Sequence, residues 1–127
     1  MSARLDRDAA APGPIITGFS GTGFRIGDHV FPDGLILTPE EARPWAAPTL
    51  EALEAGALAD LLALDPAPEF LLLGTGATMR RPSSILVAAL DARGIGIEPM
   101  DSRAAARAWG LLRAEGRWIV AALLPLG

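Results

Sequence analysis

Glu69-Phe70-Leu71-Leu72-Leu73-Gly74-Thr75-Gly76 is the stretch on which the fold turns. Three consecutive leucines leave no polar face, so a strand formed here needs apolar cover on both sides, as in the centre of an α/β sheet. Each leucine contributes about 1.5–3 kcal/mol when buried. The run stops at a glycine pair, and Pro82-Ser83-Ser84 then opens a helical pattern. The order predicted is buried strand, tight loop, helix start.

Downstream, Pro82 to Arg93 reads as a helix, with Leu86, Ala89 and Leu90 on one face and Gly94 as its C-terminal glycine. Ile95 to Glu98 reads as a short strand. Asp101 or Ser102 opens a last helix to about Glu115, with Ala104, Ala105, Ala108, Trp109 and Leu112 as its apolar stripe. Gly110 in that helix is expected to weaken it by about 1 kcal/mol. Gly116 ends it, and Trp118 to Leu124 forms the last strand, closed by Pro125. This alternation of strand and helix predicts an α/β layered domain with at least one right-handed parallel crossover.

Upstream, the chain is β-rich. Ile15 to Phe19 reads as a first strand. Phe24-Arg25-Ile26 and His29-Val30-Phe31 flank Gly27-Asp28 as a hairpin, and Leu35 to Thr38 forms another strand. These strands are expected to complete or extend the sheet. Pro39 to Pro48 reads as a loop, because Pro39, Pro44 and Pro48 interrupt any helix. Trp45 within it is expected to plug the edge of the core, with a contact role as the alternative. The Ala-, Leu- and Glu-rich segment beyond predicts a short helix near Ala57 to Leu64, ended by Pro66 and Pro68.

The chain has 127 residues, the size of one domain, with 50% hydrophobic residues and a mean hydropathy of +0.33. Residues 1–14 read as a flexible tail and 15–127 as a single domain. The tail carries Arg4 and Arg7 but also Asp6 and Asp8, and has no apolar core of a signal peptide. The net charge of −4 argues against a general nucleic-acid binder. No apolar run reaches the length of a membrane helix.

No lysine is present, which excludes Schiff-base chemistry and a lysine-containing P-loop. No cysteine is present, which excludes thiol catalysis, disulfides and thiolate metal sites, and fits a cytoplasmic location. The single histidine, His29, cannot build a multi-histidine metal site within one chain. No cofactor is expected.

The ordered motifs resemble a known family. They are Ile16-Thr17-Gly18-Phe19, Gly23-Phe24-Arg25-Ile26-Gly27, Leu37-Thr38-Pro39 with Trp45, and Leu73-Gly74-Thr75-Gly76. Then follow Arg93-Gly94-Ile95-Gly96-Ile97-Glu98, Asp101-Ser102 with Ala105, Glu115-Gly116-Arg117 and Ala121-Ala122-Leu123-Leu124-Pro125. The chain resembles the small domain shared by mitochondrial complex I assembly factor 3 and the adipogenesis-associated Mth-type domain protein. The resemblance covers nearly everything after the tail. It implies a single compact α/β domain around a mixed β-sheet with a β-rich N-terminal part. Composition and the lack of a presequence suggest a bacterial member. Together with the lack of an evident nucleophile–base pair, the resemblance implies a non-enzymatic, protein-binding or assembly factor whose partners are respiratory-chain subunits or another protein. It supplies no catalytic residues. Where many members carry an aromatic residue followed by asparagine in the last helix, this chain has Trp109-Gly110.

One site is legible from the residues themselves. Gly74, Thr75 and Gly76 lie between a strand and a helix, where backbone N–H groups can face an anion. Arg80 and Arg81 stand downstream to pair with phosphate or carboxylate, and Asp101 and Ser102 fall at the end of another strand. The functional reading is a small anionic ligand or peptide end held by these seven residues, in a ligand-binding protein or an enzyme that uses the Gly74-Thr75-Gly76 loop. The plainer reading is that the glycines turn the chain, Asp101 and Ser102 cap a helix, and the arginines are solvated. The third glycine of a dinucleotide fingerprint is missing.

Other polar groups carry weaker signals. Glu40-Glu41 beside Pro39 reads as a turn cap. Arg103, Arg107 and Arg113 read as a solvated face of the last helix, or as a docking patch for an acidic partner. A structural homo-oligomer is a third possibility.

Overall fold

The computed structural model describes residues 13–127. The tail expected over 1–14 therefore lies outside the described residues up to position 12. Pro14, at its end, accepts a 2.8 Å hydrogen bond from Trp109 Nε1.

Among the described residues, eight strands and three α-helices follow in the order β1 (Gly18–Ser20), β2 (Gly23–Ile26), β3 (His29–Phe31), β4 (Leu35–Leu37), β5 (Ala42–Pro44), α1 (Ala59–Leu62), β6 (Phe70–Gly74), α2 (Ser84–Asp91), β7 (Gly96–Met100), α3 (Ser102–Ala114) and β8 (Val120–Leu123). Five strands form a mixed sheet in the order β5-β4-β8-β6-β7. β6 pairs in parallel with β7 and β8, whereas β4 is antiparallel to both β5 and β8.

The leucine run lies inside the sheet, but not as the central strand that the sequence predicts. Leu71 and Leu73 point to one face of the sheet and Leu72 to the other, and all three are buried. The middle of the sheet is nevertheless β8, not β6. Val120, Ala121, Ala122 and Leu123 are fully buried there.

On one face, Leu71, Leu73, Val120 and Ala122 pack against Leu58, Leu61 and Leu62 around α1 and against Leu86 and Leu90 of α2. On the other, Leu72, Ala121 and Leu123 meet Ala105 and Trp109 of α3 and Phe24 of β2. The chain steps outward from β6 to β7 through α2 on one face, then back past β6 to β8 through α3 on the other. Reversing both direction and face gives the two crossovers the same hand.

The sequence led us to expect all the N-terminal strands to complete or extend this sheet, and only some of them do. β1, β2 and β3 form a separate three-stranded antiparallel sheet, and only β4 and β5 join the main one. The hairpin turns at Gly27-Asp28 as expected, with Ile26 opposite His29 and Gly27 at φ +59°. Phe19, Phe24, Ile26 and Phe31 bring the small sheet onto the second core, where it shares the covering of that face with α3.

Two local expectations are also corrected. The proline-rich loop contains β5, which pairs with β4 at the edge of the sheet. Pro44 is compatible with an edge strand because an outward-facing position needs no donor. Trp45 packs half-buried against the first core, as expected. The helix read near Ala57 to Leu64 is two 3₁₀ turns, Leu50–Ala52 and Ala55–Leu58, followed by the single turn of α1. Apolar burial of Leu50, Leu53, Leu58, Leu61 and Leu62 sets this path more than helix propensity does.

The helix starts agree with the sequence. Ser83 caps α2 by accepting from Leu86 N, and Asp101 caps α3 through Oδ1, which accepts from Ala104 N at 2.9 Å. Gly94 (φ +74°) and Gly116 (φ +77°) follow the two helix ends.

Candidate functional site

The seven candidate residues divide into a buried lock and two separate surface depressions. The lock forms where β6, β7 and β8 end side by side. Gly74 O accepts from Leu124 N at 2.9 Å, and Thr75 N donates to Met100 O at 2.9 Å. Gly76 N donates to Ser102 Oγ at 2.9 Å, and Ser102 N donates back to Gly76 O at 2.8 Å. The Ser102 hydroxyl donates in turn to Leu124 O at 2.7 Å. Ser102 is completely buried and Thr75 nearly so.

Glycine is required here on two counts. A Cβ at Gly74 would stand 2.7 Å from Ser102 Oγ and 2.8 Å from Leu123 Cδ2. Gly76 has φ +104°, a conformation that disfavours other residues.

The loop after Gly76 is closed by Thr75. Its Oγ1 donates to Thr78 O at 2.7 Å and accepts from Arg80 N at 3.0 Å. The N–H groups of Thr75, Gly76 and Arg80 are thus engaged inside the protein, so none of them is aimed at a ligand. Asp101 is occupied as the cap of α3.

The two arginines diverge. Arg80 lines a depression of about 450 Å³ with Thr75, Gly76, Thr78, Pro48 and Glu51. Its guanidinium forms an ion pair with Glu51. Arg81 lies on a different groove of about 580 Å³ between α2 and the edge strand β7, with Val87, Ala88, Asp91, Ile97 and Pro99. The structure brings Gly74, Thr75, Gly76 and Ser102 together. It places Asp101 beside them in a capping role, leaves Arg80 on the rim and sends Arg81 elsewhere.

The remaining polar candidates fall into structural positions. Thr38 Oγ1 accepts from the N–H groups of Glu40 and Glu41, and the Glu41 carboxylate is doubly hydrogen-bonded by Arg43 at 3.2 Å. That guanidinium holds the Glu41 carboxyl below its ordinary pKa. His29 is exposed on β3. Among the described residues, no three His, Cys, Asp or Glu side chains cluster to hold a metal.

The arginines of α3 do not form one solvated face. Arg103 lies over the Phe19 ring at 4.7 Å. Arg113 is buried, with Nη1 donating to Arg117 O at 2.6 Å at the end of the helix. Its place four residues after Trp109 puts it on the buried face of the helix with Ser102, Ala105 and Ala106, and that spacing is the sequence signal that sets it apart from Arg103 and Arg107.

A second latch escaped sequence reasoning. Glu69 accepts from Arg117 Nε at 2.9 Å and from Trp118 N at 3.0 Å, tying the start of β6 to the approach of β8. The Arg117 guanidinium first, and the Trp118 N–H second, hold the Glu69 carboxyl below its usual range. The partners are far apart in sequence, so no spacing rule reveals the pair.

The comparisons agree with this architecture. A family model described as "Protein of unknown function (DUF498/DUF598)" matches residues 16–124. An uncharacterised protein of Rhodobacter capsulatus is 37% identical over 87% of this chain and 84% of its own length. NADH dehydrogenase (ubiquinone) 1 alpha subcomplex assembly factor 3 of Danio rerio is 31% identical over 98% of this chain and 71% of its own.

A crystal structure of a Bordetella parapertussis protein matches with a TM-score of 0.79 and 32% identity, over 88% of this chain and 95% of that one. A solution structure of a Bordetella pertussis protein, described as a Mth938-like domain, matches with a TM-score of 0.78 and 28% identity, over 100% and 94%. With nearly all of the ordered motifs inside the matched span, the chain belongs to the DUF498/DUF598 family, alongside complex I assembly factor 3 and the Mth938-like domains.

Proposed function

We propose that this protein is a non-enzymatic, protein-binding assembly factor, acting in the cytoplasm on subunits of a respiratory complex. The observation that carries the reading is the saturation of the strand-end site. Thr75, Gly76, Asp101 and Ser102, the groups best placed for chemistry, are engaged in holding the fold. The similarity to a protein named as an assembly factor, across almost the whole chain, supports the same reading. Among the described residues no helix is long and apolar enough to cross a membrane, so any membrane-bound partner would be met at its surface.

The second reading is a small anionic ligand on the rim. It draws on the depression beside Thr75 and Gly76 with Arg80 at its wall. Since the N–H groups of Thr75, Gly76 and Arg80 are engaged, the Arg80 guanidinium would have to exchange Glu51 for the ligand.

A quantitative affinity pull-down from the source organism tests both, with wild type compared with Arg80→Glu and, separately, Arg81→Glu. Enrichment of respiratory-chain subunits by the wild type supports the assembly reading. Its loss in Arg80→Glu alone would put the contact at the rim. No enriched subunit, together with a thermal shift by inorganic phosphate that Arg80→Glu abolishes, would favour the ligand.

A further inference from the structure

The groove that carries Arg81 has a construction of its own. Ser84, Val87, Ala88 and Asp91 recur at helical spacing along α2 and line it, with Ile97 and Pro99 of β7 as the other wall. Val87 and Ala88 are exposed, and Val87 has 43% of its surface open although it is apolar. β7 is an edge of the five-stranded sheet, and no strand among the described residues pairs with its outer side. Pro99 contributes no N–H, which opposes simple extension of the sheet along β7. An occupant would therefore sit in the groove through side chains, against α2.

The charges identify the occupant. Arg81 lies just before the start of α2 and Asp91 is its last residue, so opposite charges stand at opposite ends of one apolar groove. Neither forms an ion pair with a described residue. A surface with this pattern is complementary to itself under a two-fold rotation. With the axis between Val87 and Ala88, two α2 helices run antiparallel. Ser84 of one copy then opposes Asp91 of the other, and Arg81, one turn further out, reaches the same carboxylate. Both charge pairs form at once, and the small Ala88 at the centre lets the helices approach.

We infer that a second copy of this chain docks in the α2–β7 groove, making a two-fold homodimer closed by two Arg81–Asp91 pairs. The inference is independent of the assembly role, because it concerns the purified protein alone.

Charge swapping tests it by sedimentation velocity over a range of concentrations. Wild type shows a monomer–dimer equilibrium. Arg81→Asp and Asp91→Arg each associate roughly tenfold more weakly, because both attractive pairs become repulsive. Mixing the two variants restores association, since the heterodimer regains both pairs, and the double variant Arg81→Asp/Asp91→Arg dimerises as the wild type does. Circular dichroism verifies that each variant is folded. A wild type that stays monomeric at its highest soluble concentration overturns the inference. So do single variants that dimerise undiminished, or folded variants that fail to associate when mixed.

Discussion

Gly76 and Ser102 hold each other by two reciprocal hydrogen bonds, Gly76 N to Ser102 Oγ at 2.9 Å and Ser102 N to Gly76 O at 2.8 Å. The same Ser102 hydroxyl reaches Leu124 O at 2.7 Å, so one buried side chain joins the ends of β6, α3 and β8. Ser102→Ala leaves the Gly76 N–H and the Leu124 carbonyl without this partner. It should destabilise the protein by about 1–3 kcal/mol. Urea unfolding of the variant beside the wild type measures the loss, and an unmoved midpoint would mean that water replaces the hydroxyl at no cost.

Two glycines should respond oppositely to alanine. A Cβ at Gly74 meets Ser102 Oγ at 2.7 Å and Ser102 Cα at 3.1 Å, so Gly74→Ala forces the lock apart and costs about 1–3 kcal/mol. A Cβ at Gly110 meets nothing within 4 Å, and the position is in the middle of α3. Gly110→Ala should stabilise by about 0.5–1 kcal/mol, the ordinary helix-propensity gain. Thermal melts of the pair decide the matter; shifts of the same sign would contradict the packing described here.

The Glu69 latch makes part of the stability depend on acid. Its carboxyl has a lowered pKa in the fold, because of Arg117 first and the Trp118 N–H second. A depressed carboxylate stabilises the fold above the unfolded pKa of about 4.3 and ceases to do so as pH falls through the folded value. Glu69→Gln should therefore lose stability at neutral pH and show a shallower decline on acidification over that window. Denaturation midpoints recorded from pH 7 downward test it. Parallel wild-type and variant curves would show that the latch is not coupled to folding.

Trp109 links α3 to the first described residues. Its ring is wholly buried and its Nε1 donates to Pro14 O. Trp109→Phe keeps most of the burial but removes the donor, and should cost about 1–3 kcal/mol. Trp109→Ala opens a cavity as well and should cost about 3–5 kcal/mol. If denaturant titration shows the phenylalanine variant as stable as the wild type, the bond to Pro14 contributes nothing.

Much of this architecture is legible in local sequence, and the limits are instructive. Leu71, Leu72 and Leu73 announce a two-sided strand because no side chain there tolerates water. Ser83, Asp101, Gly94 and Gly116 mark helix ends because caps and positive-φ residues act within one turn. The edge strand at Pro44 was hidden because its pairing partner, Leu35, lies in another segment. The candidate site was half legible. The chain places Gly74, Thr75, Gly76 and Ser102 together as their spacing suggests, but their hydrogen bonds point inward. Arg80 and Arg81, adjacent in sequence, face different depressions.

Residue type, short spacing and motif order were enough to read the class of the fold, its alternating second half, the helix caps and the family. It took the packed chain to show that β1–β3 form their own sheet, that β8 takes the centre and that Ser102 closes the strand ends. Each of these depends on which distant segments compete for the same apolar face or the same hydrogen-bonding group, and that competition is resolved only when the whole chain packs.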